Sequence, residues 1–186
     1  MERKPKDYEG LDHLTIGSDM LAVLDALPSS ERILQPGTLE RLRSLEPAKF
    51  YPVAWFLELM EELEASIGRV ALVRLGRNVF AMSHRKRVLK TAHSARDIVY
   101  GIDGMYHHAH RGQKIGGWRV LSFEPGQATL EKTTPHHCAM EEGILLEALF
   151  ALGVPSRIEQ TACFRKGAAS CVYSITSVVT DARWTG

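Results

Sequence analysis

Three cysteines in the C-terminal part of the chain have the residue type and spacing for metal or redox chemistry. Cys163 and Cys171 are equidistant from Gly167, so a hairpin centred on that glycine would set them opposite each other. Their Cβ atoms would then lie ~4.5–5.5 Å apart, close enough for a disulfide or a shared metal ion. Because we expect a cytosolic protein, a permanent disulfide is disfavoured. Zinc prefers four ligands, and Cys138 offers the only further thiolate, so the spacing favours a zinc site.

The sequence offers four candidates for the fourth zinc ligand. Period-two alternation puts Glu159, the first candidate, on the same face as the second cysteine, whereas Gln160 points away unless a β-bulge intervenes. His136 and His137 directly precede the first cysteine and offer imidazole nitrogens instead. The simpler alternative is that all three cysteines are small buried hydrophobic residues, which is the commonest role of free cysteine.

The most histidine-rich stretch of the chain, Tyr106 to His110, leads to a second group of candidate residues. On a helix, His107 and His110 share a face, which would allow heme ligation or a second metal site. A polar helix end near the C-terminal dipole explains the same histidines without any ligand. Trp118 starts a strand, where its ring can cover a cavity. We therefore expect Trp118, Tyr106 and His107 to line an apolar pocket, at the opposite end of the sheet from the metal.

The elements that must position these residues fall into two halves. Apolar positions at three- and four-residue spacing predict helices over residues 18–27, 38–45, 52–67 and 92–110. Gly68 ends the third of these. The following segment, 69–82, is ambiguous between strand and helix, and we favour helix. The first half of the chain is therefore predicted to be helical.

The second half alternates strands with one helix. A Glu-Pro-Gly turn at 124–126 joins strands at 118–123 and 128–134 into a hairpin. A helix over 138–152 follows, and strands at 156–164 and 170–179 flank the second glycine turn. The sequence thus predicts an α+β fold in which an antiparallel sheet of β-β-α-β-β order packs against helices. We assign 1–10 to a mobile N-terminus, 11–180 to a single domain and 181–186 to a tail, with a helical part at 11–91.

Composition limits the classes of function. With 186 residues and a net charge of +1, the chain lacks the positive excess that general nucleic-acid binding needs. The basic cluster Arg85-Lys86-Arg87 with Lys90 is interpreted as a solvated face. No apolar run approaches the ~20 residues of a membrane span and no signal-type stretch is present, so we expect a cytoplasmic protein. Phosphate loops, nucleophile elbows and zinc-protease motifs are absent from the sequence, which argues against an enzyme.

The cysteine region resembles a known superfamily. The run Cys138-Ala-Met-Glu-Glu-Gly143, the strand Ile158-Glu159-Gln160-Thr161-Ala162-Cys163, the turn at Gly167 and then Cys171 are similar to the 4-vinyl reductase domain superfamily. Its members include sensor domains of aromatic-responsive transcription activators, a bacteriochlorophyll-biosynthesis protein and, more distantly, heme nitric-oxide-binding domains. The resemblance covers residues 92–180. The helical half is similar to an uncharacterised myxobacterial family through Tyr51-Pro52 and Leu75-Gly76-Arg77.

This resemblance implies a ligand set. In the aromatic-sensing members, cysteines matching Cys138, Cys163 and Cys171 hold zinc together with a glutamate at the position of Gln160, so this sequence departs there. A tryptophan matching Trp118 lines the effector pocket in those members. The Tyr-x-Ser-x-Arg signature that grips heme propionates in the heme-binding relatives is missing.

We therefore expect a small-molecule-binding sensory domain with a structural zinc site and a pocket for a small apolar or aromatic effector. The alternative is a heme- or cluster-binding gas or redox sensor, or an enzyme. A homodimer formed through the N-terminal helices and a signalling partner protein are further expectations.

Overall fold

The computed structural model describes residues 12–186, so the prediction of a mobile segment at 1–10 lies outside the described residues. Its helices are α1 (Gly17–Ala26), α2 (Ser30–Ile33), α3 (Pro36–Arg43), α4 (Val53–Val79), α5 (Arg85–Val88), α6 (Ala95–Ala109), α7 (Cys138–Ala151) and α8 (Ala182–Thr185). Its strands are β1 (Leu14–Ile16), β2 (Phe50–Pro52), β3 (His110–Arg111), β4 (Trp118–Glu124), β5 (Gln127–Lys132), β6 (Ser156–Ala162) and β7 (Cys171–Ser177). The α+β class predicted from the sequence is confirmed.

The helical half follows the predicted pattern. Helix α4 is interrupted at Gly68, whose φ of +73° is a left-handed conformation that glycine adopts without steric cost. The ambiguous segment after Gly68 is helical, as we favoured, and it continues into a π-helical turn at Phe80–His84 before α5. None of the described helices is long and apolar enough to cross a membrane.

A small sheet that the sequence did not predict joins the ends of the helical half. Strand β1 pairs antiparallel with β2 on one side and with β3 on the other. These strands have only two or three residues, which is too short for an alternating pattern to stand out. Strand β3 directly follows α6, so the sheet places His110 opposite Thr15, near the start of the described residues.

The main sheet is antiparallel in the order β4-β5-β7-β6. Both predicted hairpins and the helix between them are present. The last six residues, which we assigned to a tail, include α8. Its Trp184 is fully buried, stacks on Phe123 and donates its ring N–H to the carbonyl oxygen of Glu124 over 2.7 Å.

Helix α7 joins the two hydrophobic cores. Ala139 and Met140 belong to the core of the helical half, and Leu145 and Leu149 belong to the core beneath the sheet. The crossing of α7 over α4 is close because glycine stands on both sides. A Cβ on Gly76 would lie 2.2 Å from the Met140 carbonyl oxygen, and one on Gly143 would lie 2.1 Å from the Val73 carbonyl oxygen.

We predict that Gly143→Ala destabilises the protein by about 1–3 kcal/mol, although alanine favours helices over glycine, because the added methyl group separates the two helices. Urea-induced unfolding followed by circular dichroism measures the change. Gly37→Ala in α3 is the matched control, since its Cβ meets no atom within 4 Å. Equal stability of Gly143→Ala and the wild type would contradict the close crossing.

Candidate functional site

The structure brings the three cysteines together in the interior. The Sγ atoms of Cys138, Cys163 and Cys171 all lie within 4.8 Å of one another, and all three side chains are buried. The sulfur of Cys138 is 3.4 Å from that of Cys171 and 3.9 Å from that of Cys163. The register of β6 and β7 pairs Ala162 with Val172. These two residues directly adjoin Cys163 and Cys171, and they are equally far from Gly167 in the sequence, as the two cysteines are.

A fully buried lysine faces this cysteine cluster. Lys132 Nζ lies 3.7 Å from Cys138 Sγ, donates to the carbonyl oxygen of His136 and pairs with the Glu141 carboxylate. Burial alone would lower the pKa of Lys132, but the negative charges of Glu141 and Cys138 outweigh it and raise that pKa. A hydrogen bond from Cys171 and the Lys132 ammonium lower the pKa of Cys138. These surroundings favour negative charge on the sulfur of Cys138, whereas the hydrogen bond with Cys138 and burial raise the pKa of Cys171.

The predicted ligand Glu159 does not face the cysteines. Its side chain is 63% exposed and lies 3.5 Å from the guanidinium of Arg157. The register between β6 and β7 shifts between Gln160 and Ala162, and this bulge reverses the alternation on which the expectation rested. The amide nitrogen of Gln160 is buried instead, beside the sulfur of Cys138. Within residues 12–186, no His, Asp or Glu side chain completes the group of three sulfurs.

A second buried cluster joins three histidines to a tyrosine. His110 Nε2 and His136 Nε2 lie 2.7 Å apart, and His13 Nε2 is 3.3 Å from the hydroxyl oxygen of Tyr106. That hydroxyl donates to the carbonyl oxygen of Ile115 over 2.5 Å. Burial lowers the pKa of His13 and of His110 to about 4 and lowers the pKa of His136 well below its usual value. All three imidazoles are therefore neutral at pH 7.

The hydrogen bonds determine which nitrogen of His136 remains free. His110 Nδ1 lies 2.8 Å from the carbonyl oxygen of Tyr106, which can only accept, so this Nδ1 carries the proton. His110 Nε2 must then accept, and the Nε2–H of His136 donates to it. The Nδ1 of His136 keeps a lone pair, for which the described part of the chain offers no hydrogen-bond partner.

His136 lines a cavity of about 140 Å³ between the helical half and the α6–α7 layer. The wall is mostly apolar and includes Val23, Met60, Phe80, Ile98, Ile102 and Leu145. The wall also contains eight polar or charged residues, namely Asp19, His84, Arg87, Tyr106, His110, His136, His137 and Glu141. A largely apolar wall that also presents polar groups is the usual composition of a small-molecule site.

Two of the three predicted pocket residues lie in this wall. Trp118 and Tyr106 are buried and line the cavity. His107 does not: its side chain is 46% exposed, and its Nδ1 lies 2.9 Å from the carbonyl oxygen of Asp103. The expectation for His107 is wrong because α6 turns this residue outward, one position beyond the buried Tyr106.

The cavity and the cysteine cluster lie at the same end of the sheet, not at opposite ends. Trp118 of β4 pairs with Lys132 of β5, and Lys132 pairs with Cys171 of β7. The Trp118 ring is 5.6 Å from the ring of Tyr173, centroid to centroid. Tyr173 in turn donates its hydroxyl to the carbonyl oxygen of Cys138 over 3.2 Å. The two sites are therefore neighbours.

Sequence reasoning missed Lys132 and His13. It considered His136 as a zinc ligand, and His110 as a heme or metal ligand or as part of a polar helix end. The lysine stands in a strand among alternating polar residues, where a solvated position is the ordinary expectation. The one available signal was that Lys132 falls on the same alternating positions as Ala128 and Leu130, which are buried.

Comparison with known proteins identifies the fold. No protein-family model matches the chain, and no curated protein matches it. A crystal structure of an H-NOX protein from S. oneidensis in the Fe(II)NO ligation state is similar with a TM-score of 0.67 at 17% identity, over 86% of this chain and 98% of that one. Fe(II) unliganded H-NOX protein from K. algicida is similar with a TM-score of 0.66 at 12% identity, over 87% and 96% of the two chains. A mutant of Cs H-NOX gives a TM-score of 0.65 at 10% identity, over 89% and 95%. The chain therefore has the fold of H-NOX proteins.

Proposed function

We propose that this chain is a sensory domain whose small, largely apolar ligand occupies the cavity beside His136. The observation that carries the proposal is that His136, whose Nδ1 has no hydrogen-bond partner among the described residues, lines a largely apolar cavity. Buried polar atoms in folded proteins almost always have a hydrogen-bond partner. A ligand hydroxyl or N–H would provide one, because a neutral imidazole nitrogen without a proton can only accept.

The size of the cavity limits the apolar part of the ligand. An engineered apolar cavity of about 150 Å³ in another protein binds benzene. The cavity here measures about 140 Å³, so a benzene-sized body fits it. The effector we favour is therefore a small aromatic or similarly sized apolar molecule that carries one hydrogen-bond donor.

The solved structures of the same fold favour a second candidate, since one of them is described in an Fe(II)NO state. A heme group would need a cavity of far larger volume, because pockets for drug-sized ligands already span about 300–1,000 Å³. It would also need a free imidazole lone pair. His84 Nδ1 accepts a hydrogen bond from Arg87, and His110 Nε2 accepts one from His136. Among His84, His110 and His136, only His136 therefore keeps a free lone pair. His136 therefore meets this requirement, but the cavity of about 140 Å³ is too small, so the site as arranged does not fit heme.

The cysteine cluster is the other part of this proposal, and the residues present fit a zinc ion in part. Cys138, Cys163 and Cys171 would supply three thiolates, which with Zn²⁺ carry one net negative charge. The ammonium group of Lys132 beside Cys138 would offset that charge. A zinc ion there would fix the start of α7 to β7 and to the β6–β7 turn, which is a structural role. The homodimer and the signalling partner remain predictions.

The ligand prediction compares phenol with benzene. We expect both to bind the wild type and His136→Phe to weaken phenol binding by about tenfold or more relative to benzene, because a buried hydroxyl without a partner costs about 1–3 kcal/mol. Isothermal titration calorimetry measures both affinities. His107→Phe is the control, since His107 is exposed. If neither compound binds, or if His136→Phe lowers both affinities equally, the proposed ligand site is wrong.

The heme prediction uses the same protein. We expect added hemin to leave no stoichiometric heme absorption band after gel filtration, because the cavity is too small. A stable one-to-one complex with a band that disappears in His136→Phe would favour the second candidate over the first.

The zinc prediction concerns Cys171→Ser. We expect this substitution to remove one zinc ion per chain and to lower the free energy of unfolding by several kcal/mol, because binding energy at a structural site is folding energy. Elemental analysis and thermal unfolding measure the two effects, and treatment of the wild type with a chelator should reproduce them. Wild-type protein that contains no zinc, and that a chelator leaves unchanged, would identify the cysteines as ordinary core residues.

A further inference from the structure

A groove of about 350 Å³ adjoins the cavity on the outer side of α6. It runs between that helix and the segment formed by α5 and the residues after it. The groove and the cavity share four residues in their walls, namely Arg87, Val88, Ile98 and Met105. A ligand with its apolar end in the cavity therefore has a space for a second group next to it.

Two glycines keep this groove open. Gly101 and Gly104 line it, and a Cβ built on either glycine would meet no protein atom within 4 Å. Each glycine in a helix interior costs about 1 kcal/mol relative to alanine. A side chain at either position would take up groove space without clashing with the fold, so the groove can be filled without damage to the core.

The charge of the groove favours an anion. Arg87 lines both spaces, and it belongs to the basic cluster Arg85-Lys86-Arg87, whose three side chains are exposed. Asp97, the one acid among the described residues of the groove wall, already accepts from the backbone N–H groups of His93 and Ser94 as part of the capping box of α6. On the cavity side, Asp19 faces Arg87. Burial raises the pKa of this carboxyl to about 6, so at pH 7 it is largely ionised and offsets part of the charge of the cluster, which stays net positive through Arg85 and Lys86.

We propose that the ligand is an aromatic carboxylate, with its ring in the cavity and its carboxylate in the groove at Arg87. The inference rests on the proposed function and adds the chemical class of the ligand. The guanidinium group of arginine offers paired donors that match a carboxylate, and such charge-assisted hydrogen bonds are stronger than neutral ones. In this proposal Arg87 of the basic cluster binds a carboxylate, whereas the sequence predicted only a solvated face for the cluster.

The test compares 3-(4-hydroxyphenyl)propanoate with its uncharged amide, 3-(4-hydroxyphenyl)propanamide, by titration calorimetry. We expect the wild type to bind the carboxylate about tenfold more tightly than the amide, the size of a charge-assisted hydrogen bond. Arg87→Gln should remove this preference, whereas Arg85→Gln, which loses the same charge outside the groove, should keep it. Gly104→Leu should weaken both compounds by filling the groove while phenol binding stays unchanged.

The outcomes separate the two proposals. If phenol binds but the carboxylate gains nothing over the amide, or if Arg85→Gln and Arg87→Gln act alike, the groove assignment is wrong and the cavity proposal stands. If phenol does not bind and the carboxylate does, with its preference lost in Arg87→Gln, the groove holds an anion without the cavity and our placement of the ring is wrong. Circular dichroism of each variant confirms that the fold is retained.

Discussion

The close crossing of α4 and α7 is the constraint on which both candidate sites depend. Without side chains at Gly76 and Gly143, the two helix backbones touch, so the start of α7 has a fixed position against the helical half. His136 and Cys138 stand at that start. The cavity wall and the cysteine cluster therefore both take their geometry from a contact that contains no functional group, and protein interiors of this density transmit small displacements.

The interior around Lys132 shows how this fold accommodates charge. A lysine with no exposed surface is rare, and such a charge is costly unless it is paired. Here the Glu141 carboxylate, the His136 carbonyl oxygen and the Cys138 sulfur surround it. The same fold in the H-NOX structures and in this chain need not hold the same ligand, because function depends on the site and not on the fold.

The elements were largely predictable from the sequence, whereas the composition of the site was only partly so. The symmetry of Cys163 and Cys171 about the glycine turn is a local property of one hairpin, and it held. The face of Glu159 depended on unbroken alternation, and a single bulge reversed it. The contact between His110 and His136 spans 26 positions and depends on β3, a two-residue strand that no periodicity reveals.

The tripeptide His136-His137-Cys138 gives the two sites a common backbone. Consecutive Cα atoms are about 3.8 Å apart, so only two virtual bonds separate the imidazole in the cavity wall from the sulfur in the cluster. Between them, His137 accepts from the Ala139 N–H and lies 3.0 Å from Glu64, which prevents free rotation of this segment. Substitutions at the two sites therefore share their effects, and their free energies of unfolding will not add as those of distant residues do.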